Sequence, residues 1–408
     1  MTKHNITCLI GNGFDMDILS SITNKKNGNN KKQYTTSYDD FYEYLKRKYE
    51  NHQSEILKKN ILVQEMKNRL KSKKNNWSDF EEIVGEFLTD SSHCYSDIAQ
   101  ALDELQIEFS HFLNSIVTPQ LLEEVDNAYR GDSKENSDTP LPSLGVKSLA
   151  KFLGDLTFEQ LDSNEFVTTI HHNDLLNFTF FNFNYTSLFD SYIYLDKNSF
   201  DPHEFKSSNN NFSFYLNPNF NNKKGGYPQL SVIKQRGENK DDYTGKYEGK
   251  DKDTSTQKYC NINTTVIHPH GYQYIPRSML FGTSTSKNVK KSSPEEKKLI
   301  KAYWARNEEN YSEIIDQSEL FIIYGMSLGK SDSFWWERIA DCIENNKAEV
   351  IIYSYNTTKK DDAQVIHKFL KVANKDNKFD TLKKNIFVVH GKYRPDGKKF
   401  AFDTVLDK

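Results

Sequence analysis

Six short runs of apolar and β-branched residues punctuate the chain: Ile6 to Ile10, Phe178 to Phe183, Thr264 to Ile267, Glu319 to Tyr324, Val350 to Tyr353 and Ile386 to Val389. They are continuous rather than alternating, and helical patterns separate most of them. Continuous short runs predict strands buried on both faces, which is the habit of a parallel sheet. The expected fold is therefore α/β, a Rossmann-like parallel sheet of about six strands.

A long helical block separates the first run from the second. TSYDDFYEYL offers Ser37 as an N-cap with Asp40 three residues on, and NNWSDFEEIVGEFL repeats the device with Ser78 and Glu81. Ser96 to Val117 predicts a long helix whose apolar face takes Ile98, Leu102, Leu105, Ile107 and Phe112. The division that follows is a nucleotide-binding domain over 1–37 and 165–408, with a helical subdomain over 38–150 inserted into it. Gly131 to Pro142 is polar and turn-rich, a loop. The run 201–259 is Asn-rich, charged and poor in aliphatic residues, so it predicts a polar, partly mobile insertion with no core of its own. Ser20 to Thr36 is similarly polar; two readings stand for these segments, a lid formed by Ser20 to Thr36 or by 201–259, and plain low-complexity expansion.

Composition narrows the function classes. The apolar fraction is only 36%, but 27 Phe and 23 Tyr bury large areas per residue, so a folded protein follows. A net charge of -3 removes any general attraction to a polyanion, and no specific nucleic acid is expected. Cys8, Cys94, Cys260 and Cys342 lie far apart without ligand spacing, which predicts reduced thiols and a cytoplasmic protein. No segment approaches a membrane span, so no membrane partner is expected.

Chemistry collects where the predicted strands end, which in a parallel sheet is where ligands sit. The first run leads into GNGFD, Gly11 to Asp15, a Gly-x-Gly with Met16 where a dinucleotide fingerprint has its third glycine. The second leads into FNFNYTSLFD, with Asn182 and Asn184. The third leads into HPHG, with His268, His270 and Gly271. The fourth leads into GMSLGKSD, with Gly325, Ser327 and Ser331, and the fifth into SYNTT, with Asn356. Plainer readings stand beside these: a tight βα turn for the glycines, helix capping for the asparagines and Ser331, core or zinc-binding roles for the histidines, and packing for Trp335 and Trp336.

Taken together, LIGNGFD, TSYDDF, WSDFEE, FNFNYTSLFD, HPHG and YGMSLGKSD resemble the bacterial abortive-infection AbiH family of phage-defence proteins. More remotely, their order is similar to sirtuin-type NAD-binding domains. That resemblance implies a cofactor loop over Gly11, Asn12, Gly13, Phe14 and Asp15, a catalytic Asn184 and His270, an adenosine-side loop with Gly325 and Ser327, and a ribose contact from Asn356. Thr186 stands where the sirtuin pattern has Asp, a departure from it. The four cysteines lack the spacing of the deacylases' zinc module, which disfavours deacylation; sirtuin-like proteins in phage defence often hydrolyse NAD, so the resemblance implies NAD hydrolysis, with no metal expected. The implied partners are a small-molecule nucleotide and a phage-derived trigger, with room for a homo-oligomer.

Cleaving the nicotinamide–ribose bond passes through an oxocarbenium-like state. The site must hold the ribose, exclude bulk water and admit one water molecule. An asparagine amide suits the holding. A histidine near its natural pKa suits a general base toward a ribose hydroxyl or the water. Asp15 would stabilise the cationic ribose or orient His270, and the amides of Gly11 to Phe14 would meet the phosphates. Two rival readings have the same loops: a nucleotide- or dinucleotide-binding sensor without catalysis, and a metal-dependent, nuclease-like toxin using Asp15, His270 and Asp332.

Overall fold

The computed structural model describes residues 2–26, 35–51, 54–74, 79–90, 93–129, 145, 148–149, 152–169, 174–194, 211–216, 256–282, 293–297, 299–329, 332–355 and 357–391. Every expected strand is present: β1 (Lys3–Ile10), β2 (Leu175–Asn182), β4 (Thr256–Ile267), β5 (Leu320–Tyr324), β6 (Glu349–Ser354) and β7 (Ile386–His390). All six run parallel. A further strand, β3 (Asn211–Leu216), pairs antiparallel with β4 at the sheet edge. The polar insertion over 201–259 thus adds an edge strand to an existing sheet; 201–210 and 217–255 lie outside the described residues. The asparagines around NFSFYL hide an alternation of Phe212, Phe214 and Leu216 with more polar neighbours, which is the period of a strand.

The sheet order is β3-β4-β2-β1-β5-β6-β7. Counting the parallel strands alone in chain order gives 3-2-1-4-5-6, the doubly wound Rossmann order, whose direction reverses between β1 and β5. Each strand divides its side chains between two cores, because successive residues point to opposite faces. Ile6, Cys8 and Ile10 of β1, with Phe178 and Phe180 of β2, pack under the helices Asn12–Lys26 and Pro119–Tyr129. Leu9, Phe181, Phe321 and Ile323 pack on the other face against the helices Ser333–Asn346 and Asp362–Val372. Burial on both faces is why these runs are continuous in sequence. Trp335 and Trp336 belong to this second core, as their packing reading expects.

A third core sits over the carboxyl end of the sheet. Phe41, Leu45, Leu62, Met66, Ile83, Leu105, Phe109 and Phe112 of the inserted helices close on Tyr185, which follows β2, and on Met279 and Phe281, which follow β4. From Val117 onward the chain packs in the first core instead. Ser37 caps its helix as expected, its side chain accepting from the Asp40 amide at 3.2 Å. Ser78 lies outside the described residues, and the amides of Glu81 and Glu82 donate to Asp79, each at 3.1 Å. The long helix spans Tyr95–Ile116. Ile107, assigned to its apolar face, is 52% exposed. Two residues beyond Leu105 it is turned about 200° around the helix, away from the stripe Ile98, Leu102, Leu105, Phe109 and Phe112.

At the opposite edge of the sheet, His4 at the start of β1 is buried between Glu319 (2.8 Å) and Asp174 (3.1 Å). The hydrogen bond to Glu319 and that to Asp174 hold its pKa above the ordinary 6.5, against burial. A raised folded value means stabilisation that is complete below pH 6.5 and fades as pH rises through the folded value. His4→Gln should therefore cost about 1–3 kcal/mol at pH 6 and less at pH 9, read from urea unfolding at both pH values.

Candidate functional site

The loops after β1 and β5 meet at the point where the strand order reverses. β1 ends at Ile10 and a helix begins at Asn12, so Gly11 alone joins them. The Gly11 amide donates to the Tyr324 carbonyl (2.9 Å), the Gly13 amide to the Gly325 carbonyl (3.1 Å) and the Phe14 amide to the Gly11 carbonyl (3.0 Å). A Cβ on Gly11 would lie 2.5 Å from the Gly325 oxygen, and one on Gly13 2.8 Å from the Gly325 Cα. Gly325 itself has φ +70. These glycines let two backbones touch, and three amides expected to meet phosphates bond within the protein instead. The Phe14 ring points into the first core, 4.9 Å from Phe189 and 5.2 Å from Tyr192.

Two cavities flank this glycine seam, sharing Gly325, Met326 and Ser327 as a common wall. The first, about 670 Å³, opens over β1, β2 and β4 and beneath the inserted helices. It brings together Gly11, Asn12, Asp15, Asn184, His270, Gly325 and Ser327 from four separate stretches of chain. The second, about 960 Å³, opens over β5, β6 and β7 and is lined by Gly13, Met16, Tyr353 and Tyr355 among others. Asn356 and Ser331 lie outside the described residues.

Within the first cavity the chemistry is layered. Asn184 donates both amide protons inward, to the Gly11 carbonyl (3.1 Å) and to Asp15 (3.0 Å). What it offers a ligand is therefore its oxygen, an acceptor for a hydroxyl. Asp15 is fully buried and also accepts from Thr186 at 2.5 Å. Burial pushes its carboxyl up to about 7, against the lowering effect of the Thr186 and Asn184 hydrogen bonds. Thr186, where the sirtuin pattern has Asp, thus serves as a donor to Asp15. Asp15 pairs with Asn184 and Thr186, and this contact takes the place of the orientation of His270 suggested from sequence.

The backbone of Asn184 is gripped from both sides. Its amide donates to Asn182 (3.1 Å), whose own amide donates to Asp190 (3.1 Å). Its carbonyl faces His268 Nδ1 at 3.1 Å, and His268 Nε2 faces Asp190 at 2.9 Å. Both ring nitrogens of His268 therefore have protein partners. Among the described residues no group of three or more His, Cys, Asp or Glu is arranged to hold a metal ion.

His270 lines the same cavity, its ring beside those of Phe183 (5.0 Å, edge-on) and Tyr185, the two chain neighbours of Asn184. Burial, with the charge of Lys301 adding to it, drops its pKa well below 6.5, so at neutral pH it is a free base. Its Nε2 lies 3.7 Å from Asp332. Sequence reasoning missed two residues here: Lys301, and Glu81 as anything beyond a cap. Lys301 Nζ lies 2.7 and 2.8 Å from the two Glu81 oxygens, with Lys301 only 5% exposed. Burial pushes Glu81 up to about 7 against the pull of Lys301. In sequence Lys301 is one of several lysines in KKLIKAYW, and nothing local marks it out.

The sequence model of the family described as bacteriophage abortive infection AbiH matches residues 8–355. The chain belongs to the AbiH family. The matched stretch begins in β1 and ends just after β6, so it takes in every lining residue of the first cavity and part of the lining of the second, which also uses residues from Thr357 to Gly391. Membership in AbiH assigns the protein to abortive infection, a bacterial defence against phage. No curated protein matches this AbiH chain. Among its described residues, no helix is long and apolar enough to cross a membrane.

Proposed function

We propose that this AbiH protein binds NAD across the two cavities and hydrolyses it to nicotinamide and ADP-ribose. One observation carries the reading: Asn184, His270 and Asp15 line a single cavity beside the strand-order reversal, although they come from different strand ends. The adjoining second cavity gives a dinucleotide room for its other half, with the shared Gly325–Ser327 wall between them. The first cavity also carries the carboxylates of Asp39, Asp79 and Asp332. An acid-rich wall suits a cationic nicotinamide ring and a ribose gaining positive charge, and repels a pyrophosphate. The nicotinamide half therefore belongs in the first cavity and the adenosine half in the second.

In this arrangement the Asn184 oxygen holds a ribose hydroxyl, and neutral His270 takes a proton from a ribose hydroxyl or the incoming water. Ionised Asp15 favours the positive ribose. Water adds to the ribose carbon as the glycosidic bond breaks, and the bond's electrons leave with nicotinamide, neutralising its ring. The test is incubation of the purified protein with NAD and chromatography for nicotinamide, with and without phage lysate. No turnover under any condition sinks the reading. Because Asp15 ionises at about 7 and His270 lower, turnover should rise through pH 7 with Asp15. Asp15→Asn should remove that limb from the pH–rate profile.

A non-catalytic sensor remains the second reading, favoured by the glycine amides being bonded within the protein rather than turned to phosphates. It predicts NAD binding by calorimetry with no nicotinamide released.

A further inference from the structure

Two motif residues stand unused by the reaction: Asp190, which ends FNFNYTSLFD, and His268, which opens HPHG. Each has an ordinary role to hand. Asp190 falls in the first turn of the helix Leu188–Ile193, where a carboxylate suits the dipole, and the His268 ring packs edge-on against Tyr272 at 4.8 Å. Neither role accounts for where their polar atoms go. The Asp190 carboxylate accepts from the Asn182 side-chain amide (3.1 Å) and lies 2.9 Å from His268 Nε2. From that one carboxylate the two side chains diverge and close again on Asn184: Asn182 Oδ1 accepts from its backbone amide (3.1 Å), and His268 Nδ1 meets its backbone carbonyl (3.1 Å). A carbonyl can only accept, so Nδ1 is the donor there.

We propose that His268 and Asp190 are positioning residues for Asn184, holding its backbone so that its side-chain oxygen keeps one direction in the first cavity. The proposal rests on the reading of Asn184 as the residue that holds the ribose. The hydrogen bond from its amide fixes the peptide plane before the Asn184 Cα, and the one to its carbonyl fixes the plane after it. With both planes held, the Cα–Cβ bond can point only one way. The side-chain bonds to Gly11 and Asp15 then set the turn of the amide, protons inward and oxygen outward. Asn184 lies beyond the end of β2, outside regular structure, yet it is tied back to that strand through Asn182 and to the loop after β4 through His268. An oxygen held in this way is ordered when the chain folds, so ligand binding need not order it.

The experiment follows the Asn184 side-chain amide by NMR in the full chain labelled at asparagine, its signal assigned by its absence in Asn184→Ala, and measures its proton exchange with water. Asp190→Ala, at a side chain 31% exposed, should speed that exchange by about 2- to 10-fold, the worth of one hydrogen bond. An asparagine amide nitrogen falls near the place of a histidine Nδ1, and that of glutamine near Nε2. His268→Gln should therefore release the Asn184 carbonyl and speed exchange as far, whereas His268→Asn keeps that contact and should speed it less. A packing role predicts the reverse order, because asparagine leaves the larger cavity. Unmoved exchange in Asp190→Ala overturns the proposal, as does His268→Asn matching or exceeding His268→Gln; Asp190→Ala decides by itself should a histidine variant fail to fold. Where NAD is turned over, kcat/KM should fall in the same order, by up to about 100-fold. Absent turnover would sink the hydrolase reading and leave the exchange rates to decide this one.

Discussion

His270→Ala should lower NAD turnover by about 100- to 10,000-fold, the usual worth of a positioned general acid or base. The loss should appear in kcat, with KM little changed, because the ring holds a proton in the transition state and not the dinucleotide in the ground state. The ring is packed between Phe183 and Tyr185, and truncation leaves a cavity. His270→Gln keeps most of the volume and should lose as much turnover with a smaller change in melting temperature. The cellular counterpart is protection against phage, which should vanish in either variant. Protection that survives in both, together with retained NAD binding, would favour the sensor over the hydrolase.

Gly325→Ala should cost about 2–5 kcal/mol and abolish ligand binding along with it. Two independent effects add. At φ +70 a side chain costs about 1–2 kcal/mol. The new Cβ would also lie 2.8 Å from the Phe14 nitrogen and 3.0 Å from the Gly11 oxygen, both backbone atoms that cannot rotate away. Forcing an extra carbon into such a contact costs about 1–3 kcal/mol. Against a total stability of about 5–15 kcal/mol the sum is a large fraction. Urea unfolding would show it as a lowered midpoint at unchanged slope. If the glycine served a ligand alone, the midpoint would stay put and only binding would be lost.

Much of the sheet was legible because two-sided burial writes itself as continuous apolar runs, from Ile6–Ile10 to Ile386–Val389. β3 was not, since its alternation is embedded in asparagine. The carboxyl-edge loops were legible for a similar reason: few residue types besides Gly, Asn and Ser fit where a backbone must turn sharply or cap a helix. The same logic misjudged what the glycines do. Gly-x-Gly signals close backbone approach, and sequence cannot say whether the approaching group is a phosphate or Gly325. Lys301 and Glu81 were invisible as a pair because a contact spanning 220 residues leaves no local pattern. The buried Asp15 was picked out, but its partners Asn184 and Thr186 depend on how β1 and β2 align, Ile10 opposite Asn182.

The order of strands also governs when this protein can exist in the cell. β1 is made first but lies at the centre of the sheet, paired with β2 and β5. Leaving the ribosome, it has no neighbour until Leu175–Asn182 has been translated, and no second one until Leu320–Tyr324 follows. Long-range pairing of this kind makes folding late and slow. The first cavity cannot be complete before Asp332 emerges, so whatever site it forms is absent from the nascent chain until then.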